Sequence, residues 1–150
     1  MEIIRYTRDR VDDVIDFENR LREEENFWGW EIDDAYKASV RRSFDDSRFD
    51  HSLSLLAYID GKVVGRIDST LICSHFDGSV KAYLDWLCVL KSRRHQGVAQ
   101  ALMQALRREL RALYGVDTLI GLIAGNPGAQ RFYRALPHAQ IRDEGIWIDC

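Results

Sequence analysis

Val89-Leu90-Lys91-Ser92-Arg93-Arg94-His95-Gln96-Gly97-Val98-Ala99-Gln100-Ala101-Leu102-Met103 leaves one apolar run, crosses a basic cluster and a single glycine, and becomes apolar again at a new period. Residues 80–90 before it read as a long strand. After it, Val98, Ala101, Leu102, Ala105, Leu106, Leu110 and Leu113 recur at helical spacing, and Gly115 provides a stop. A strand that turns through glycine into an amphipathic helix brings unbonded N–H groups and the positive end of the helix dipole to one point. Such a point binds anions, and Gly97 has no side chain to hold one away. Read alone, R-x-x-G-x-A also describes a basic loop that happens to precede a helix. The glycine spacings of dinucleotide-binding and P-loop sites are both absent.

Working outward, residues 118–123 read as a strand. Residues 127–135 read as a short helix, with Asn126 as N-cap and Pro127 at its first position, and 139–142 and 145–149 as closing strands. Toward the N-terminus, Asp60-Gly61 separates strand-like runs at 52–59 and 62–72, and Asp77-Gly78 precedes the long strand, so three antiparallel strands form a meander. Before them, Tyr36, Val40 and Phe44 mark one helix, while Val11, Val14, Ile15 and Leu21 mark another with Thr7 or Asp9 as its cap. Residues 23–30, three glutamates beside three aromatics, read as a loop between those helices, and 3–6 as a first strand. This order is that of an α/β fold in layered α+β form.

With 150 residues, 46% hydrophobic, the chain suits one domain with a substantial core. A net charge of −3 argues against a protein that coats nucleic acid, so Arg93, Arg94, Arg107, Arg108 and Arg111 as a nucleic-acid face is the weakest reading. Cys73, Cys88 and Cys150 are irregularly spaced and the four histidines are scattered, so neither a metal site nor a disulfide framework is expected. No signal-like start and no long apolar window is present, and a soluble, cytoplasmic protein without a membrane partner is expected.

Residues 89–99 resemble the acetyl-coenzyme A signature of the GNAT superfamily of N-acetyltransferases, V-x-P-x-x-[RQ]-x-x-G-x-[GA]. Lys91 replaces the common proline, which touches loop stiffness rather than the anion site. Asn126-Pro127-Gly128-Ala129-Gln130-Arg131-Phe132-Tyr133 is similar to the family's N-x-x-A-x-x-x-Y, although Pro137-His138 stands where Gly-Phe is usual. The motifs cover residues 81–136, and the order of elements covers the whole chain. The resemblance implies a single N-acetyltransferase domain over 1–150, with a mixed, mostly antiparallel central sheet and helices on both faces. It implies acetyl-coenzyme A as cosubstrate, its pantetheine arm along the backbone of Leu87, Cys88 and Val89. The pyrophosphate would rest on the amides of His95, Gln96, Gly97, Val98, Ala99 and Gln100, with Arg94 and Arg93 adding charge. Asn126 would lie near the thioester, and a homodimer, which the family often forms, is left open.

Direct transfer from a thioester to an amine needs a neutral amine, help for the oxyanion and a proton for the leaving thiolate. By resemblance Tyr133 supplies that proton; otherwise it is a packing aromatic beside Phe132. Asp85 is the candidate for the amine, since an acidic residue near this place resembles that of aminoglycoside-type acetyltransferases. Strand alternation puts Tyr83, Asp85, Leu87 and Val89 on one face, where a carboxylate among Leu84, Trp86 and Leu87 is costly to bury unless paired. The other readings are a bulge carboxylate paired with Arg66, and deprotonation through ordered water. Gly121 stands where some relatives carry a glutamate, so that route to a base is missing. Glu25 and Trp28, in the acidic-aromatic segment, join Asp85 as acceptor-binding candidates, against an exposed helix end with core aromatics. The function expected is acetyl transfer to a primary amine of an aminoglycoside-like or polyamine-like small molecule in a ternary complex. The alternatives are a protein or peptide N-acetyltransferase, and an acyl-coenzyme A-binding regulatory module without transfer.

Overall fold

The computed structural model describes residues 1–25, 31–122, 125–141 and 148. They group into two units, Met1–Ile120 and Gly121–Cys150. In the first, β1 (Glu2–Arg5) is followed by α1 (Val11–Glu25), α2 (Asp34–Ser43), β2 (Ser52–Ile59), β3 (Lys62–Cys73), β4 (Val80–Val89) and α3 (Val98–Tyr114). The short β5 (Leu119–Gly121) begins at its end, and the sheet order is β1-β2-β3-β4-β5 with β1 to β4 antiparallel. The segment entering β5 meets β4 where the Ala82 N–H donates to the Thr118 carbonyl at 3.0 Å. Among the described residues no helix is long and apolar enough to cross a membrane.

The meander follows from its turns. Asp60 and Gly61 both take left-handed φ, 51° and 73°, the geometry whose twist matches a two-residue hairpin. Asp33 caps α2 by accepting the Tyr36 N–H at 2.7 Å, as its position before the helical period requires. Thr7 donates its hydroxyl to Asp9 at 2.6 Å, at the head of a 3-10 turn, Arg8–Arg10, that leads into α1. That helix runs to Glu25, so Glu23, Glu24 and Glu25, expected in a loop, are its last turn. Glutamate is a good helix former, and partners outside the helix, described below, hold the end of this one.

Gly65 and Arg66, adjacent on β3, show what covers each face of the sheet. A Cβ on Gly65 would come within 2.9 Å of Val98 Cγ1 and 3.1 Å of Leu102 Cδ1, so glycine lets α3 lie close against the strand. Leu102 and Leu106 are fully buried there, each worth about 1.5–3 kcal/mol of transfer free energy. Arg66 points the other way and bonds Glu18 of α1, whose apolar stripe of Val11, Val14, Phe17 and Leu21 is buried. Helices therefore cover both faces of a mixed, mostly antiparallel sheet, as expected.

One register shift changes the reading of β4. Asp68 pairs with Trp86 and Ser69 with Leu84, leaving Asp85 as an extra residue at a β-bulge. Alternation is broken there: Ala82, Leu84, Leu87 and Val89 share the α3 face with Gly65 and Ile67, while Tyr83, Trp86 and Cys88 share the Arg66 face. The expected common face of Tyr83, Asp85, Leu87 and Val89 is thus corrected. Asp85 is exposed rather than buried among its apolar neighbours.

In the second unit, α4 (Pro127–Arg134) starts as its sequence dictates. Asn126 Oδ1 accepts the Ala129 N–H at 2.7 Å and proline occupies the first turn. Residues 139–141 form no strand, in contrast to the expectation for 139–142. Residues 142–147, 149 and 150, Ile123, and residues 26–30 with Trp28 lie outside the described residues.

Candidate cofactor and acceptor site

The stretch between β4 and α3 is built backbone first. The Leu90 N–H is held by the Val64 carbonyl at 3.0 Å, and residues Lys91–Arg93 form a 3-10 turn. His95 and Gly97 then adopt left-handed φ, 62° and 80°. Such a φ is uncommon for a residue with a side chain, and residues held in it cluster at functional sites. The first helical hydrogen bond runs from Ala101 N–H to the Gly97 carbonyl at 3.0 Å, and no side chain caps the helix. The amides of Val98, Ala99 and Gln100 precede that bond, and among the described residues no partner is recorded for them. A Cβ on Gly97 would meet nothing within 4 Å, so there is open space beside the glycine at the start of the helix. The donor set thus suits a pyrophosphate: backbone N–H groups, a helix N-terminus and a basic loop.

The end of α1 clasps this loop. Glu24 accepts the Ser92 N–H at 2.9 Å and the Ser92 hydroxyl at 2.7 Å. Burial works to raise the Glu24 carboxyl pKa, but the hydrogen bonds from Ser92 outweigh it and hold the group below its ordinary value. Glu25 takes the Arg94 guanidinium, whose Nε also faces the Val89 carbonyl at 3.3 Å. Gln96 ties the loop from within, its Nε2 donating to the Ser92 carbonyl at 3.2 Å. Cys88, at the end of the strand, has its thiol pushed up to about 11 by burial, against the pull of nearby Arg94.

On the α1 face of the sheet lies a polar cluster that the sequence reading missed. Glu18 is 2% exposed and Asp68 is 8% exposed. Arg66 lies between them, with Nη1 at 3.1 Å from Glu18 Oε1, and Nε donating to Asp68 Oδ1 at 3.0 Å with Oδ2 at 2.8 Å. Tyr36 donates to Glu18 at 2.8 Å and Ser54 to Asp68 at 2.5 Å. The Arg66 guanidinium stacks over the rings of Tyr6, at 4.9 Å, and Trp86, at 5.6 Å. Burial raises the Glu18 pKa, and Tyr36 and Arg66 offset only part of that rise. A signal was present: Glu18 sits in the buried stripe of α1, four residues after Val14 and three before Leu21. Arg66 is thus engaged with Glu18 and Asp68, not with Asp85. The Asp85 side chain makes no hydrogen bond or ion pair among the described residues.

The structure therefore brings Leu87 to Gln100, Arg94 and Glu25 into one neighbourhood, with Asp85 on the strand that leads to it. In the second unit Asn126 caps α4, and the half-buried Tyr133 meets Phe132 edge-on, ring centroids 5.2 Å apart. Burial raises the Tyr133 phenol above its ordinary pKa, so its proton is held more firmly than on a free tyrosine.

Solved structures of known proteins share this fold. An aminoglycoside acetyltransferase from an uncultured soil metagenomic sample, solved in complex with trehalose, shares the fold at TM-score 0.80 and 16% identity, over 99% of this chain and 95% of that one. A ribosomal-protein-alanine N-acetyltransferase from Brucella melitensis biovar Abortus 2308 matches at TM-score 0.74 and 16% identity, over 100% of this chain and 99% of that one. AAC(6')-Iy, solved with the bisubstrate analogue CoA-S-monomethyl-acetylneamine, matches at TM-score 0.72 and 21% identity, over 99% and 98%. No curated protein matches the chain in sequence. The family model described as the Acetyltransferase (GNAT) family matches residues 7–136. With most of its length matched by that model and its sheet built in that form, the chain belongs to the GNAT acetyltransferase family and is an N-acetyltransferase.

Proposed function

We propose that this N-acetyltransferase uses acetyl-coenzyme A and transfers the acetyl group directly, in a ternary complex, to a primary amine of a cationic small molecule, aminoglycoside-like or polyamine-like. The observation that carries the reading is the left-handed pair His95 and Gly97 opening α3, a helix start that no side chain caps and with open space beside Gly97. The amides from His95 to Gln100 hold the pyrophosphate, and Arg94 adds charge beside it. The backbone of Leu87, Cys88 and Val89 holds the pantetheine arm. Asn126 Oδ1 is engaged by the Ala129 N–H, which leaves its amide protons to donate near the thioester. When bound, the cosubstrate supplies an activated acetyl carbonyl and a thiolate leaving group; everything else is the task of the chain.

Asp85 receives the acceptor ammonium. Its exposure and lack of a partner among the described residues support that role, and it takes the proton directly or through ordered water. Tyr133, a protonated phenol at neutral pH, returns a proton to the thiolate. Glu25 and Trp28 are the further acceptor-side candidates. Residues 1–150 act as one catalytic domain, a reading supported by a family match that runs across the boundary between the two units. A second reading, transfer to a protein N-terminus, is favoured by the likeness to the ribosomal-protein acetyltransferase.

A thiol-release assay over polyamines, aminoglycosides, amino acids and N-terminal peptides separates these readings. Turnover with a polyamine or aminoglycoside is expected, with Tyr133→Phe lowering kcat by about 10²-fold or more while coenzyme A affinity holds. Turnover of peptides alone would select the second reading, and unchanged kcat in the variant would remove Tyr133 from proton transfer. Tight coenzyme A binding with no turnover of any amine would leave a binding module.

A further inference from the structure

Glu24 and Glu25 are neighbours on the last turn of α1, yet they hold different things. Glu24 binds the Ser92 amide and hydroxyl, uncharged groups in the 3-10 turn Lys91–Arg93. Glu25 binds Arg94, a cation of the loop that leads into Gly97 and the start of α3. A carboxylate at a helix C-terminus faces the negative end of the dipole, and Glu23 and Glu24 stand beside it. Glu25 is therefore poorly placed without a cation. Arg94 supplies that cation in the free protein, at a partly exposed pair that a dianionic ligand can outcompete.

We propose that Glu25 is a carboxylate shared in turn by the two ligands: Arg94 holds it in the free enzyme, and the cofactor phosphates, by drawing Arg94 away, release it to the ammonium group of the acceptor. The inference rests on the acetyl-coenzyme A reading above. Glu24 keeps its two bonds to Ser92 throughout, so the helix end stays docked while a single side chain changes partner. Once Arg94 is taken, the Glu25 carboxylate has lost its partner across the loop, and the acceptor brings a cation that can replace it. Binding of either ligand then favours the other by the same factor.

Calorimetric titration with coenzyme A, and with pantetheine as a probe lacking the diphosphate, tests the exchange. Glu25→Gln is expected to bind coenzyme A about two- to fivefold more tightly than the wild type, the worth of one exposed ion pair. Pantetheine affinity is expected to stay the same. In an Arg94→Gln background the Glu25→Gln gain is expected to vanish, since there is no longer a cation to release. Saturating coenzyme A is expected to tighten spermidine binding in the wild type and not in Glu25→Gln. Equal or weaker coenzyme A binding by Glu25→Gln, or an equal gain for pantetheine, would overturn the exchange. Spermidine affinity indifferent to coenzyme A would overturn the coupling. A wild-type protein that binds no coenzyme A would instead overturn the acetyl-coenzyme A reading, and the proposal with it.

Discussion

Cys88 and Cys73 lie on adjacent strands, and burial separates their chemistry. Cys73 is exposed at the end of β3, whereas the Cys88 thiol is pushed up to about 11 by burial. At pH 8 only about one Cys88 in a thousand is then thiolate, the form that reacts. Iodoacetamide at that pH is expected to modify Cys73 and spare Cys88, read by peptide mass spectrometry. Comparable labelling of both would show that the thiol is not held in the fold as described. At this scale the sequence announces residues whose demand is local. Gly97 must take a positive φ, and Asn126 must cap a helix that begins with proline. It conceals residues whose fate a distant partner decides. Asp85 is extruded because β3 pairs Asp68 with Trp86 and Ser69 with Leu84, a choice that nothing within β4 records.

Elements were legible where a period and a terminator agreed. The long amphipathic run closed by Gly115 is α3, and Asp-Gly between two alternating runs is the β2–β3 hairpin. Element lengths were less so: α1 continues through Glu25 because Ser92 and Arg94, some 70 positions on, hold its acidic end. How closely α3 approaches the sheet depends on Gly65, where Val98 and Leu102 lie against the strand. Gly65→Ala is expected to destabilise the protein by about 1–3 kcal/mol, the usual range for overpacking a tight contact. It should also weaken coenzyme A binding, because Val98, the first residue to be displaced, carries one of the open amides. Denaturant unfolding together with coenzyme A titration checks both. A variant with wild-type stability would mean that Val98 and Leu102 yield without cost.

Over the whole molecule, the order of elements and the two motifs were enough to name the family before any contact was known, whereas the Glu18 cluster was not foreseen because it joins α1, α2 and β3 through side chains alone. Its carboxyl titrates higher in the folded protein than the ordinary 4.5 of an unfolded glutamate, chiefly through burial. The folded state therefore holds the Glu18 proton more strongly. The stability this gives is fully present below pH 4.5 and is lost as pH rises through the folded value. The melting temperature of Glu18→Gln relative to wild type should accordingly move in favour of the variant between pH 4.5 and pH 7. Parallel curves across that range would show that Glu18 titrates as it does in the unfolded chain. The bulge in β4 has a consequence beyond geometry. Position 85 stands exposed at the bulge while its neighbour Leu84 is buried, so a change of side chain at 85 is free of the packing demands on Leu84, and the chemistry presented at that point of the strand can alter without the core taking part.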